Sequence, residues 1–212
     1  MPTLLLIKNN KVISDVQING GFHGGLLGNT NASAGTIQFQ HNIAYSNLGK
    51  ETEITANEFK GGLAGTFESA DINSNLMFNI SYANIDGANN LAGLVAKSDS
   101  LIKYNFANVN ILMDDSFTTG AVHLGGLAAF ALNGIDMEEN KVLANITTEL
   151  NIDCDSNNGT GSGVIDNCGS VIGIRNSSIN ADNNIIIASF TNEALAISFA
   201  PGEVGSGAGP AI

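Results

Sequence analysis

The chain has 212 residues with 8 basic and 20 acidic side chains, a formal net charge of −12 and no Trp. Such a charge repels the phosphates of nucleic acids and the headgroups of anionic lipids, so we expect neither as a partner. Apolar residues make up 43% of the chain. This fraction argues against intrinsic disorder and predicts a folded protein.

The first element is an apolar run of four residues within the opening sequence MPTLLLIKNN. The run is too short for the core of a signal peptide or for a membrane span, and no other segment approaches the length of a span. We therefore expect a cytosolic protein, a mature secreted protein or a piece of a longer protein. The features described below favour the last two.

A short motif then recurs along the chain. It has an apolar residue, two mostly polar residues, an Asn and a largely apolar run, as in IKNNKVI at 7–13 and MEENKVL at 137–143. The six anchors of this motif are Asn10, Asn42, Asn75, Asn105, Asn140 and Asn184. Subtracting successive positions gives spacings of 32, 33, 30, 35 and 44 residues, which indicate a repeat array.

A second motif, built on Gly and an aliphatic residue, precedes each of the last five anchors. Its copies read GGLLG, GGLAG, AGLVA, GGLAA and GSVIG. A phosphate-binding Gly loop would need a following helix, and none of the copies has one. We predict instead that the glycines form tight corners or allow close packing between repeats, at Gly25, Gly62, Gly93 and Gly126.

After several anchors, apolar and polar residues alternate, as in Val109-Asn110-Ile111. This period of two predicts strands with one buried face, and Gly pairs and Asn-rich runs interrupt every helical candidate. We predict an all-β protein, a β-solenoid of about five to six coils with a repeat of roughly 32 residues. The solenoid domain is expected to cover residues 1–199 and to be followed by a Gly- and Pro-rich tail at 200–212.

Stacked coils predict columns of equivalent buried side chains. One column would contain Leu26, Leu63, Leu94, Leu127 and Val171, and a second would contain Phe39, Ile72, Ile102 and Met137. Two interpretations of the Asn anchors remain open. Their side chains would form a hydrogen-bonded ladder between coils, or the anchors would occupy left-handed corners, which Asn tolerates.

The units GGLAGTFESADINSNLMFNISYANI and AGLVAKSDSLIKYNFANVNI resemble GLUG-type repeats, whose pattern runs roughly G-G-L-V-G, a spacer, I-S-N-S-Y-A and N-V. The resemblance covers about residues 5–190, and Gly62 and Leu63 match its first half. Later copies depart from it at Ala129 and Ser170, which replace glycines. GLUG-type repeats form non-catalytic β-solenoid stretches of filamentous adhesins and immunoglobulin-A proteases. The resemblance therefore implies an extracellular or cell-surface setting.

The interval between the last two anchors is the longest and is predicted to contain an inserted loop at about residues 153–168. Both cysteines, Cys154 and Cys168, lie in this interval. A disulfide between them would close the loop and indicate an oxidising compartment. The alternative is a pair of reduced thiols in a cytosolic protein.

The same loop partly matches a calcium-binding loop. Asp153, Asp155, Asn157 and Asp166 would supply oxygen ligands, but the Gly and the Glu that a calcium loop needs at its sixth and twelfth positions are missing. A solvated polar loop is the alternative. We expect no other cofactor.

Candidates for catalysis are few. His23, His41 and His123 lie in different repeats and are expected on a polar surface. The adjacent pairs Asp114-Asp115 and Glu138-Glu139 would point to opposite faces of a strand, so neither suits acid–base catalysis. We therefore expect no enzyme.

These features predict a non-enzymatic structural or adhesive module on a bacterial exterior. End-to-end self-association through open coils is a further hypothesis. The main alternative is a module that binds a glycan or a host surface protein. An ice-binding solenoid, for which matching rows of Thr are lacking, and a polysaccharide-degrading β-helix enzyme are the remaining alternatives.

Overall fold

The computed structural model describes residues 4–17, 21–32, 35–49, 58–87, 89–113, 123–131, 136–148, 151–153, 164–165, 167–169, 172–175, 183–192 and 197–198. These residues contain strands and no helix, so the all-β prediction is confirmed for them. The predicted tail at 200–212 lies outside the described residues.

The strands are short, because Gly and Asn residues interrupt the alternating runs that form them. The first twelve are β1 Leu4–Lys8, β2 Lys11–Gln17, β3 Gly21–Gly24, β4 Leu27–Ala32, β5 Thr36–Gln40, β6 Ile43–Gly49, β7 Glu58–Gly61, β8 Ala64–Ser69, β9 Asn75–Met77, β10 Ile80–Gly87, β11 Asn90–Ala92 and β12 Val95–Ser98. The others are β13 Leu101–Lys103, β14 Phe106–Met113, β15 His123–Gly125, β16 Ala128–Ala131, β17 Met137–Glu138, β18 Lys141–Thr148, β19 Asn151–Asp153, β20 Val164–Ile165, β21 Asn167–Gly169, β22 Ile172–Arg175, β23 Ile185–Asn192 and β24 Ile197–Ser198.

The strands belong to parallel sheets that recur in a fixed order along the chain. Sheet A has the order β1-β5-β9-β13-β17, sheet B has β2-β6-β10-β14-β18-β23, sheet C has β21-β15-β11-β7-β3 and sheet D has β22-β16-β12-β8-β4. A small fifth sheet has the order β20-β19-β24. Through β18 the chain thus returns to the same sheet with every fourth strand, and each return adds a neighbouring parallel strand.

The core consists of inward-facing side chains that stack from one repeat to the next. Leu63, Leu94 and Leu127 have no exposed surface, and Leu26 packs against the same cluster while partly buried. The first predicted column is therefore present at these four positions. Its fifth member, Val171, lies outside the described residues.

The second predicted column contains one error. Strand pairing aligns Phe39 with Leu76, Leu76 with Ile102, and Ile102 with Met137, and all four side chains are buried. The prediction that Ile72 belongs here is wrong, since Ile72 lies before β9 and is 92% exposed. The turn at residues 70–74 delays the strand, so the buried position falls four residues later.

A buried asparagine row joins successive strands at the corner between sheets A and B. Its members are Asn10, Asn42, Asn79, Asn105, Asn140 and Asn184. The four central members are buried, Asn184 is half-buried and Asn10 is exposed. The backbone N–H and the Nδ2 of each member donate to the Oδ1 of the next at 2.8–3.1 Å. From Asn42 onward, each Nδ2 also donates to a backbone carbonyl of the preceding repeat. The structure thus shows the hydrogen-bonded ladder, the first of the two interpretations.

The prediction that Asn75 belongs to this row is wrong, because Asn79 occupies the place. Asn75 begins β9, where its Oδ1 accepts from Nε2 of Gln40 at 2.7 Å. The left-handed conformation also falls on different residues from those predicted. It belongs to the residue before each ladder Asn, with φ of 53–59° at Asn9, His41, Phe78, Tyr104, Glu139 and Asn183.

The glycines of the second motif allow successive repeats to approach closely, as predicted. A Cβ atom added at Gly25 would collide with the carbonyl oxygen of Gly62, one at Gly62 with that of Gly93, and one at Gly93 with that of Gly126. Each of these oxygens belongs to the backbone, so the collision cannot be relieved by rotating a side chain.

We therefore expect Gly93→Ala to destabilise the protein by about 1–3 kcal/mol, since the added methyl group overpacks a rigid contact. Thermal denaturation followed by circular dichroism would measure the change as a lower Tm. A Tm equal to that of the unmodified protein would show that neighbouring repeats separate without cost at this corner.

Candidate binding surface

Sheet B has more strands than any other sheet of the described residues, and we call the surface formed by its outward-facing side chains the outer face. On each long strand, alternate residues point inward to the core and outward to solvent. Parallel pairing in register then places equivalent outward residues in rows that cross the strands. Two of these rows carry the features that bear on function.

The first is the surface asparagine row, formed by Asn47, Asn84, Asn110 and Asn145. Nδ2 of Asn84 donates to Oδ1 of Asn47 at 2.9 Å, and Asn110 and Asn145 each donate in the same way to the preceding member at 2.9 and 3.0 Å. Ser189 continues the row, with its hydroxyl donating to Oδ1 of Asn145 at 2.9 Å. These amides are exposed, whereas in the buried asparagine row only the terminal Asn10 is exposed.

The second is the apolar row, which lies two residues earlier on each strand. It contains Ile13, Tyr45, Tyr82, Asn108, Leu143 and Ile187. The rings of Tyr45 and Tyr82 stack with centroids 5.1 Å apart and planes within 7°. Because stacked rings cover each other's faces, they present mainly their edges to solvent, at 39% and 38% exposure.

A further aromatic stack borders this face at the left-handed corner. The ring of Phe78 stacks on His41 at 5.0 Å and on Tyr104 at 4.9 Å. These three residues share the positive φ of the corner, so their side chains project outward one above the other. The aromatic edges of this stack widen the apolar side of the outer face.

Two open grooves lie on either side of the surface asparagine row. The groove on the apolar-row side has a volume of about 620 Å³ and is lined by Tyr45, Tyr82 and the amides of Asn47 and Asn84. The groove on the other side has about 530 Å³ and includes Leu112 in its lining. The row of amides is therefore reachable from both sides.

The outer face carries no net charge, in contrast to the acidic chain. Its outward positions on the described strands hold the cations Lys11 and Lys141 and the anions Asp15 and Asp86, so two minus two gives zero. Nζ of Lys11 also lies 5.4 Å from the ring centroid of Tyr45. This surface suits a neutral ligand better than a polyanion or a polycation.

The predicted disulfide and calcium site fall largely outside the described residues. Cys154, Asp155, Asn157 and Asp166 lie outside them, and for Cys168 in β21 and Asp153 in β19 only the backbone is described. Within the described part of the chain, no group of three or more His, Cys, Asp and Glu side chains is arranged to hold a metal ion. No helix there is long and apolar enough to cross a bilayer.

The three histidines occupy different environments. His41 is exposed within the aromatic stack, and His23 in β3 is half-buried. The prediction of a surface position is wrong for His123, which is buried in β15. Burial disfavours the charged imidazolium and lowers the pKa of His123 from 6.5 to about 4.

This burial predicts a pH dependence of stability. The unfolded chain binds a proton at His123 below pH 6.5, whereas the folded chain does so only near pH 4. The contribution of neutral His123 is therefore complete above pH 6.5 and is lost as the pH falls toward 4, by up to about 3 kcal/mol. Urea denaturation between pH 7 and about pH 5 should show a smaller loss of stability for His123→Gln than for the unmodified protein. Parallel profiles would contradict the assignment.

The two members of the Glu138-Glu139 pair have different surroundings. Glu138 pairs with Lys103 at 2.8 Å, and this hydrogen bond raises the pKa of Lys103. Glu139 occupies the left-handed corner and is exposed. The other predicted pair, Asp114-Asp115, lies outside the described residues.

One buried ion pair was not predicted. Nζ of Lys60 lies 3.1 Å from Oε2 of Glu58, with both side chains essentially inaccessible to solvent. The same Nζ donates to the backbone carbonyls of Gly49 at 3.0 Å and Asp86 at 2.7 Å. Two carbonyl acceptors and the adjacent carboxylate surround the ammonium group, so the pair joins the end of sheet B to β7 as a structural contact.

The surface asparagine row and the apolar row were also missed, although the sequence carries their signal. Relative to each member of the buried row, the residue five positions later is Asp15, Asn47, Asn84, Asn110, Asn145 or Ser189. The residue three positions later is a Tyr in two repeats and Ile or Leu in three others. Alignment on both offsets would have selected Asn79 as the third anchor.

Comparison with known proteins gave no match. No protein-family model, no curated protein and no solved structure matches this chain.

Proposed function

We propose that the chain is a β-solenoid of about five to six coils that serves as a non-enzymatic structural and adhesive module on a bacterial exterior. The observation that carries the proposal is the buried asparagine row, which joins six successive strands by the same set of hydrogen bonds. The return of the chain to the same parallel sheet with every fourth strand supports the coil. The resemblance to GLUG-type repeats supports the extracellular setting.

The described ionisable groups also support a structural role. The buried Glu58–Lys60 pair is held by backbone carbonyls, and the side chain of His123 is buried. The two grooves lie on the outer face instead, where amides and aromatic edges predominate. Amides and aromatic rings can bind a ligand, but they do not readily transfer protons at neutral pH.

Solution NMR of the purified chain tests the solenoid. Parallel coils that stack in register about 4.8 Å apart predict nuclear Overhauser contacts between equivalent residues of neighbouring coils, such as Asn84 and Asn110. A folded protein without such contacts would contradict the coil architecture.

Surface display tests the adhesive role. The chain would be fused to an outer-membrane anchor in a non-adherent bacterium, and attachment to epithelial cells and to polysaccharide-coated surfaces would be counted. We expect more attachment than for cells that display the anchor alone. Equal attachment, with the chain accessible to antibody, would count against adhesion.

The ends of the buried asparagine row support a version in which copies associate end to end. No described residue donates a hydrogen bond to Oδ1 of Asn10, and none accepts from the backbone N–H of Asn184. An acceptor at one end and a donor at the other are complementary, so one copy would extend the row of the next. Light scattering and electron microscopy test this version. Stable monomers at high concentration would overturn it.

A second candidate function is a binding module for a glycan or a host surface protein. The outer face favours it, because a solenoid can form its core without exposed amides or surface grooves.

A further inference from the structure

We infer that the surface asparagine row, together with its two grooves, binds an extended neutral polysaccharide. The inference rests on the proposed adhesive function and names the ligand class and the site. Contacts within the row leave part of its hydrogen-bonding capacity unused.

A primary amide offers two N–H donors and two acceptor lone pairs. Within the row, Asn84 and Asn110 each use one N–H and one lone pair to bond their neighbours. Each therefore retains one donor and one acceptor for a ligand. A hydroxyl group can accept from the free N–H and donate to the free lone pair. A sugar hydroxyl therefore matches the unused donor and acceptor of such an amide.

The row also repeats, which favours a polymer over a single sugar. Strands in a sheet lie about 4.8 Å apart, so the four amides from Asn47 to Asn145 extend roughly 14 Å. The grooves follow this direction and cross several strands each. A chain of sugars lying along the row would meet an equivalent amide at each strand, whereas a monosaccharide would meet only one or two.

The surroundings of the row favour an uncharged ligand with apolar patches. The face has no net charge, and the apolar row on one side exposes the edges of Tyr45 and Tyr82. Sugar rings carry C–H groups between their hydroxyls, so they can contact these edges while their hydroxyls reach the amides. Uronic acids and sulfated glycans would find only Lys11 and Lys141 as cations on this face and would be repelled by an acidic molecule.

Other macromolecules fit the face less well. Nucleic acid needs clustered cations to neutralise its phosphates, and the outer face carries only Lys11 and Lys141 on widely separated strands. An amphipathic helix needs a continuous apolar groove, whereas amides line both grooves here. An added strand would pair with a sheet edge and not with this face.

Calorimetric titration of the intact chain tests the inference. The probes are soluble glucan, mannan and chitin oligosaccharides, short and long, with heparin and polygalacturonate as anionic comparisons. We expect at least one neutral oligosaccharide to bind and its longer forms to bind more tightly. The inference is overturned if no neutral probe binds, if an anionic probe binds as tightly, or if short and long forms bind equally.

The double variant Asn84→Ala, Asn110→Ala locates the site. Removing two amides should weaken binding about 10- to 100-fold. Asn73→Ala is the matched control, since Asn73 is also an exposed amide but lies in the turn before β9. It should leave the Kd unchanged. Unaltered binding by the double variant, with an unchanged urea midpoint as proof of folding, would place the ligand elsewhere and overturn the inference.

The display experiment separates this inference from the proposed function. Cells that display the double variant should lose attachment to the neutral polysaccharide. If they attach as well as cells that display the unmodified chain, the adhesive function is supported and the assigned binding site is rejected. If the purified chain binds the polysaccharide through the row but displayed cells do not attach, the binding site is supported and the adhesive function is rejected.

Discussion

Asn79→Ala should destabilise the protein by roughly 3–6 kcal/mol, because it removes a central member of the buried asparagine row. Oδ1 of Asn79 accepts from the backbone N–H and the Nδ2 of Asn42 at 3.0 and 2.9 Å, and its Nδ2 donates to the carbonyl of Phe39 at 2.9 Å. The variant leaves these three buried groups without their partner. Each such group costs about 1–3 kcal/mol, and water that enters the vacated space limits the sum.

Asn84→Ala is the control for this variant. It deletes the same atoms from an exposed amide five residues later, which donates to Asn47 at 2.9 Å. Water replaces an exposed partner readily, so we expect a change within about 0.5–1 kcal/mol. Similar losses for the two variants would show that the buried row does not hold the repeats together.

Equilibrium urea denaturation gives the free energies, and hydrogen exchange gives the location. Repeat proteins can unfold in parts, so a single denaturation midpoint does not identify which repeat has opened. The backbone N–H of Asn42 donates directly to Asn79, and its exchange should accelerate in Asn79→Ala. It should remain slow in Asn84→Ala.

The second large effect is expected for Leu76→Ala. Leu76 has no exposed surface and stacks between Phe39 and Ile102 in the column that continues through sheet A. Truncation would leave a cavity between repeats, and comparable substitutions cost about 2–5 kcal/mol. Thermal and urea denaturation would both measure the loss.

Ile72→Ala serves as the comparison, because these two residues are the alternatives for one place in the column. Ile72 is 92% exposed, so its truncation should change stability by less than about 0.5 kcal/mol. The reverse result, with Ile72→Ala the more harmful, would mean that β9 is out of register by four residues. Every inward position in this repeat would then be reassigned.

The sequence predicts the strands and the repeat because both depend on local pattern. Alternation in runs such as that around Val109 requires one buried face, and the Gly pairs fix where repeats approach. The anchor motif alone leaves the third repeat ambiguous, since INSN and LMFN both offer an apolar residue three positions before an Asn. The residues three and five positions after each anchor favour Asn79, and the long-range pairing of Asn42 with Asn79 shows that this choice is correct.

Two other features depend on partners that are distant in the chain. The left-handed residue of each corner is a different amino acid in most repeats, including Phe78 and Tyr104, which rarely adopt this conformation. Inter-repeat stacking of their rings compensates at these positions. The pairing of Glu58 with Lys60 likewise depends on backbone carbonyls from sheet B, which lie 11 and 26 residues from Lys60.

The uniform direction of the buried asparagine row also bears on how such a chain can change length during evolution. Every repeat presents the same acceptor to its predecessor and the same donors to its successor. Internal duplication or deletion of a whole repeat in the gene would therefore join surfaces that already fit. Segments of unequal length between members, from 26 to 44 residues, show that only the contact residues need to be preserved while the connecting loops diverge.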